Sequence, residues 1–166
     1  MLIGGGSTVD PAEWYDVARR ILDANRTGFL TTVCGGARTR MVEHKLDDAG
    51  IWFATSPRSR KFADIRSDPA VTYAVEDRAA GAYVTLYGPA TVVDDLATRR
   101  EQWSERARPY FPGGPEGDDF VLIRLVPDRI ELWSLADSVL PEPRGLVPAV
   151  LVRSGDDWAV AAAERQ

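Results

Sequence analysis

From Gly28 onward the apolar residues of this chain recur at every second position, in short runs that glycine, proline or aspartate cut off. A period of two with turn residues at each end marks β-strands, because successive side chains on an extended backbone point to opposite faces. On this pattern strands are expected at 28–34, 37–46, 51–54, 70–76, 82–93, 120–126 and 129–135. Gly35-Gly36 forms a two-residue hairpin turn. Asp47-Asp48-Ala49-Gly50 and Pro127-Asp128 are further turns, and Gly88-Pro89 kinks the longest strand. No strand–helix–strand alternation supports a doubly wound parallel sheet. Seven or so short, bent strands instead point to a mainly β fold, a small closed or split barrel with peripheral helices.

The helices are few. Asp10 caps the first, Pro11 suits its opening position, and Glu13 completes a capping box. Trp14, Val17, Ala18, Ile21 and Leu22 then recur at helical spacing until about Asn25. A second helix runs over 59–67 and is stopped by Asp68-Pro69. A third opens at Asp94-Asp95, passes through Arg99, Trp103 and Arg106, and ends at Pro109, with Trp103 and Trp14 as core residues. The expected organisation is a flexible leader at 1–9, a barrel domain at 10–135, and an extension at 136–166. That extension reads as a linker marked by Pro141 and Pro143, then a hairpin of 148–153 and 158–162 packed on the same domain.

The stretch Trp52-Phe53-Ala54-Thr55-Ser56-Pro57-Arg58-Ser59-Arg60-Lys61 hands a strand over to a helix. The first turn of a helix offers unpaired N–H groups and a positive dipole end, which stabilise an anion. Arg60 and Lys61 add charge, and Thr55, Ser56 and Ser59 add short donors, which suits a phosphomonoester. On this stretch alone, a solvated basic helix start stays open. Charge distribution adds a hint: the chain carries a net −5, yet residues 38–66 hold seven bases against four acids. A basic island in an acidic chain fits a small anionic ligand better than nucleic acid.

Other chemistry is scarce. The one cysteine, Cys34, permits no internal disulfide and no thiolate metal cluster. The one histidine, His44, sits beside Glu43 and Lys45 without a partner at metal spacing, so a satisfied or exposed histidine is expected and no metal. No apolar run reaches the roughly 20 residues that span a bilayer, and the first ten residues lack the pattern of a signal peptide. A cytoplasmic protein is expected, with no membrane partner.

Five motifs in register carry a resemblance. They are Thr39-Arg40-Met41-Val42; Trp52 to Ser56 followed by Ser59-Arg60-Lys61; Gly88-Pro89-Ala90 with Asp94-Asp95; Tyr110-Phe111-Pro112-Gly113-Gly114; and Arg129-Ile130-Glu131-Leu132-Trp133. Together they resemble the FMN-binding split-barrel superfamily of pyridoxamine 5′-phosphate oxidase, most closely its general stress protein branch. The resemblance implies a six- to seven-stranded antiparallel split β-barrel and a homodimer with FMN held at the subunit interface. It implies that Arg40, Met41 and Val42 border the cofactor and that Thr55, Arg60 and Lys61 hold its phosphate, with Ser56 and Ser59 helping to position it. Tyr83 and Trp133 fall where the family contacts or packs near the flavin, and Tyr110 and Phe111 would shape the substrate pocket from the partner subunit. Arg40 and Lys45, at odd spacing on one strand, cannot both face the cofactor without a bulge, and Arg40 is the expected one.

One departure bears on the reaction. The oxidase proper continues after its tryptophan into an Arg–Leu–His–Asp–Arg type segment, whereas Trp133 is followed by Ser134-Leu135-Ala136-Asp137-Ser138-Val139. Pyridoxine-phosphate oxidase activity is therefore not expected. The resemblance implies an FMN-dependent oxidoreductase acting on a small planar molecule. The alternatives are a non-catalytic flavin-binding or redox-sensing dimer, or a relative using a deazaflavin or haem.

Overall fold

Residue 10 is where the structure, a computed structural model, begins to describe the chain; it covers residues 10–141 and 146–161. The expected leader at 1–9, Pro143 of the expected linker and Ala162 of the expected hairpin lie outside the described residues. Helix α1 (Pro11–Ala24) starts where the Asp10 carboxylate accepts the Ala12 N–H at 2.9 Å. It buries Ala18, Ile21 and Leu22. It ends where the Asn25 backbone N–H and side-chain amide both return to the Ile21 carbonyl.

Ten strands follow among the described residues: β1 (Thr27–Val33), β2 (Ala37–Glu43), β3 (Lys45–Asp47), β4 (Gly50–Thr55), β5 (Ala70–Asp77), β6 (Ala82–Val93), β7 (Val121–Leu125), β8 (Arg129–Ser134), β9 (Ala149–Ser154) and β10 (Asp157–Val160). Helix α2 (Arg60–Ser67) lies between β4 and β5, and α3 (Leu96–Gln102) follows β6. All ladders are antiparallel. One sheet runs β10-β9-β8-β6-β5-β1-β2, and β6 continues into a second, in which it pairs β7, then β4, then β3. The hinge is Gly88-Pro89: before it β6 lies between β5 and β8, and from Ala90 onward it pairs with β7. A Cβ at Gly88 would stand 2.7 Å from the Val126 carbonyl oxygen, so only glycine lets the two strands approach there. The result is the expected mainly β split barrel. The expected strands of the barrel are present, and the tail hairpin β9–β10 extends the first sheet by pairing with β8.

The barrel interior is filled by Leu30, Phe53, Tyr73, Leu86, Ile123, Leu125, Ile130 and Leu132, with Ile21 of α1 closing one end. Each such side chain contributes about 1.5–3 kcal/mol on burial. A smaller cluster of Trp52, Phe120 and Leu122 takes in Trp103 and Phe111. Trp14 packs, half-buried, against the main core, and Trp158 of β10 stacks on Tyr15 of α1 at 5.5 Å. No helix among the described residues is long and apolar enough to cross a membrane.

Two elements differ from the sequence expectation. The strand expected at 37–46 ends at Glu43, and Lys45 restarts it as β3 in the other sheet. Val42, His44 and Leu46 keep the inward period through the break, so the hydropathy pattern does not record it. The break is where His44 turns in: its backbone N–H bonds the Arg26 carbonyl, Nδ1 lies 2.7 Å from the Tyr73 hydroxyl, and Nε2 lies 3.1 Å from the Leu22 carbonyl. The third helix stops at Gln102 rather than running through Arg106. Trp103 leaves it extended, packs edge-on against Phe120 at 5.0 Å and donates its indole N–H to Glu105. A single 3-10 turn at Glu105–Ala107 follows.

His44 carries a pH prediction. The Leu22 carbonyl can only accept, so Nε2 holds the proton and Nδ1 takes that of Tyr73. Burial pushes the His44 pKa below its ordinary 6.5, against the opposing pull of the Leu22 bond and of Asp23 and Glu43. The folded state thus binds the proton more weakly than the unfolded chain. Stability is complete above about pH 6.5 and falls as pH drops below it. The thermal midpoint should decline between pH 7 and 5, a window in which this lone histidine titrates. A flat midpoint across that window would mean that the ring binds its proton equally well in the folded and unfolded chain.

Candidate functional site

The β4–α2 turn is built largely from its own hydroxyls. Thr55, at the end of β4, is buried and lies 2.9 Å from the Ser59 hydroxyl. Ser59 caps α2 by accepting the Phe62 N–H, and its own N–H bonds the Ser56 carbonyl. Ser56 Oγ accepts the Arg58 N–H at 3.2 Å. Arg58 turns to the surface to meet Asp118. The amides of Arg60 and Lys61 head the helix, where no carbonyl one turn back within it can accept them.

Facing this turn is β2, the outermost strand of its sheet. Arg38 and Arg40, two residues apart, project from the same face. Between strand and helix lies an open cleft of about 500 Å³, lined by Arg38, Thr39, Arg40, Ser59, Arg60 and Lys61. Behind it stands Asp64, only 2% exposed. Its carboxylate accepts from Thr32 Oγ1 at 2.8 Å, from Arg38 at 2.8 Å and from Arg40 at 3.4 Å. Arg40 also donates to Thr32 Oγ1 at 2.7 Å. The Thr32 hydroxyl, followed by the two guanidinium groups, holds the Asp64 carboxyl below the usual carboxylate range.

Lys61 is the group this arrangement leaves unmatched. Burial and the charge of Arg40 both lower its pKa, and among the described residues neither it nor Arg60 has an ion-pair partner. A half-buried cation beside another cation at a helix start is a place where an anion gains on both counts. A phosphate-sized anion in the cleft would face Lys61, Arg60 and Arg40.

The cleft therefore brings together Arg40, Ser59, Arg60 and Lys61 of the residues singled out in the sequence, with Thr55 and Ser56 shaping the turn behind them. It adds Arg38, Thr32 and Asp64, which the sequence reading did not single out. Their signal was available: Arg38 shares parity with Arg40, and Asp64 lies three residues beyond Lys61, on the same helix face. Val42 is half-buried and packs against the core. Met41 faces the other side of the sheet, 68% exposed, opposite the equally outward Phe29. Tyr83 and Trp133, paired across β6 and β8, also lie on that outer face, their rings parallel within 10° at 6.4 Å. Phe111 packs on Phe120, and Tyr110 is 80% exposed. These residues do not line the cleft. Lys45 is exposed on β3, beyond the His44 break. Among the described residues no three His, Cys, Asp or Glu side chains gather as a metal site.

A family model described as pyridoxamine 5′-phosphate oxidase like matches residues 15–148. Among solved structures, the chain is similar to an FMN-binding, pyridoxamine 5′-phosphate oxidase-related protein from Nostoc punctiforme. The identity is 20% and the TM-score 0.70, over 95% of this chain and 99% of that one. It is similar to general stress protein 26 from Bacillus anthracis at 24% identity and TM-score 0.64, over 70% of this chain and 91% of that one. PhzG from Burkholderia lata, in complex with tetrahydrophenazine-1-carboxylic acid, aligns at 17% identity and TM-score 0.65, over 96% and 95%. No curated protein matches the sequence.

Proposed function

The chain belongs to the pyridoxamine 5′-phosphate oxidase-like family, and from that premise we propose that it is an FMN-binding oxidoreductase working as a homodimer on a small planar molecule. The observation that carries this reading is the half-buried Lys61 beside Arg40 at the start of α2, without an ion-pair partner among the described residues. The residues present suit the phosphate of FMN: four of them, Arg38, Arg40, Arg60 and Lys61, are cations lining the cleft, and the helix start adds two amides. The relative from Nostoc punctiforme is an FMN-binding protein on the same fold.

Because the cleft wraps the outer edge of β2, a ligand seated by its phosphate there can reach past the strand. Beyond that edge lies the outer face bearing Phe29, Met41, Tyr83 and Trp133. The aromatic side chains on this face suit both a flat ring system and a second copy of the chain. Two-fold pairing across it would bring Tyr83, Trp133 and the Tyr110–Phe111 loop of one protomer toward the cleft of the other. Bound FMN would supply electron or hydride transfer. The protein's own part is to neutralise the phosphate, exclude water from the ring and present a planar substrate between apolar side chains.

The segment after Trp133 supports a substrate other than pyridoxine phosphate. Ser134 is buried and bonds Asp137, and Asp137 pairs with Arg20 of α1. These residues fasten the tail to the helix rather than face a ligand. The test is direct. Purified protein should show flavin absorbance or regain it with added FMN, and the bound flavin should bleach anaerobically with NADPH or NADH. A protein that never takes up FMN would refute the reading. One that takes it up without turning over any trial acceptor would be a binder.

A further inference from the structure

A carboxylate stands in an odd place: Asp64, buried, directly behind a cationic cleft that attracts an anion. On charge alone it opposes binding. Its geometry says otherwise. One oxygen takes Arg38, the other takes Thr32 and, more loosely, Arg40, while Arg40 also donates to Thr32. The guanidinium of Arg40 is thus fixed at two points, one directly on Asp64 and one through the Thr32 hydroxyl. Asp64 stands on α2 three residues beyond Lys61, while Arg38 and Arg40 stand on β2 and Thr32 on β1. One buried side chain therefore ties the strand half of the seat to the helix half.

We infer that Asp64 is the positioning residue of the phosphate seat: it aligns Arg40 and Arg38 against the start of α2, and this alignment outweighs its opposing charge. The inference rests on the proposed function. Four cations lining one cleft repel one another, and without a central counter-charge the two long arginine side chains would spread into solvent. An anion would then have to order them itself and lose affinity in doing so. With Asp64 in place, that ordering is complete before the ligand arrives.

The test is FMN titration of the full-length chain. Asp64→Asn keeps an acceptor for Thr32 and removes the charge that holds the arginines. It is expected to weaken FMN binding by about tenfold or more, although the seat becomes more positive. Combined with Arg40→Gln, the loss should fall well short of the product of the two single losses, because Arg40 is already misaligned. Combined with Lys61→Ala, which Asp64 does not hold, the losses should multiply. A merely destabilised fold would not separate these two pairs. Should Asp64→Asn not fold, Thr32→Val removes the relay to Arg40 without touching any charge, and a loss of about threefold is expected. Tighter or unchanged FMN binding in Asp64→Asn, independence from Arg40→Gln, or an unaffected Thr32→Val would each overturn the inference while FMN binding by the wild type stands. A wild-type chain that binds neither FMN nor inorganic phosphate would overturn the proposed function and this inference together.

Discussion

Replacing Lys61 with alanine is expected to weaken FMN binding by about 1.5–3 kcal/mol, the loss of a charge-assisted hydrogen bond. The figure sits above that of a surface charge for two reasons. Lys61 is half-buried and its ammonium is already penalised by burial and by Arg40, so a bound dianion relieves strain that an exposed lysine would not carry. Among the described residues it also has no ion pair to give up on binding, unlike Arg38 and Arg40, which share Asp64. The fold should tolerate the change. Lys61 is in the first turn of α2, alanine is the best helix former, and the cap by Ser59 and the burial of Ile65 are untouched. A titration followed by flavin fluorescence, with a thermal melt as control, reads both effects. Unchanged affinity would remove Lys61 from the site.

A second large effect is expected from Phe29→Glu: conversion of a dimer to a monomer, with loss of bound flavin. Phe29 is 55% exposed on the outer face, so in an isolated protomer a charge there touches water and costs little. Across a two-fold interface the same substitution would occur on both copies and bury carboxylates beside Met41 without partners. The cost is on the order of several kcal/mol. Sedimentation at micromolar concentration distinguishes the outcomes. A variant that stays dimeric and yellow would show that the outer face is not the contact between subunits.

Much of this was legible in the residues because local chemistry and global fold agree. The strand alternation, the Gly88-Pro89 bend, the Asp10 cap and the tail hairpin were all written in short-range signals. What escaped was decided by contacts distant in sequence. His44 keeps the inward period of its strand, so nothing nearby announces that it bonds Tyr73 and Leu22 and ends β2. Trp103 sits at helical spacing, yet Phe120 draws it out of the helix. Asp64 looks like one acid among several on a polar helix. Only the pairing of α2 against β1 and β2 makes it the centre of the cationic cleft. The outward direction of Met41, by contrast, follows from strand parity.

The central claim is that the Arg40–Lys61 cleft seats a phosphate, and comparing FMN with riboflavin tests it most directly, because the two ligands differ only in that group. Dissociation constants measured side by side on the wild-type chain and on Lys61→Ala should show FMN binding about a hundredfold or more tighter in the wild type, as expected of two or more charge-assisted bonds. The gap should narrow by roughly tenfold or more in the variant. Equal affinities for FMN and riboflavin in the wild type would contradict the claim, for the cleft would then be holding no phosphate at all.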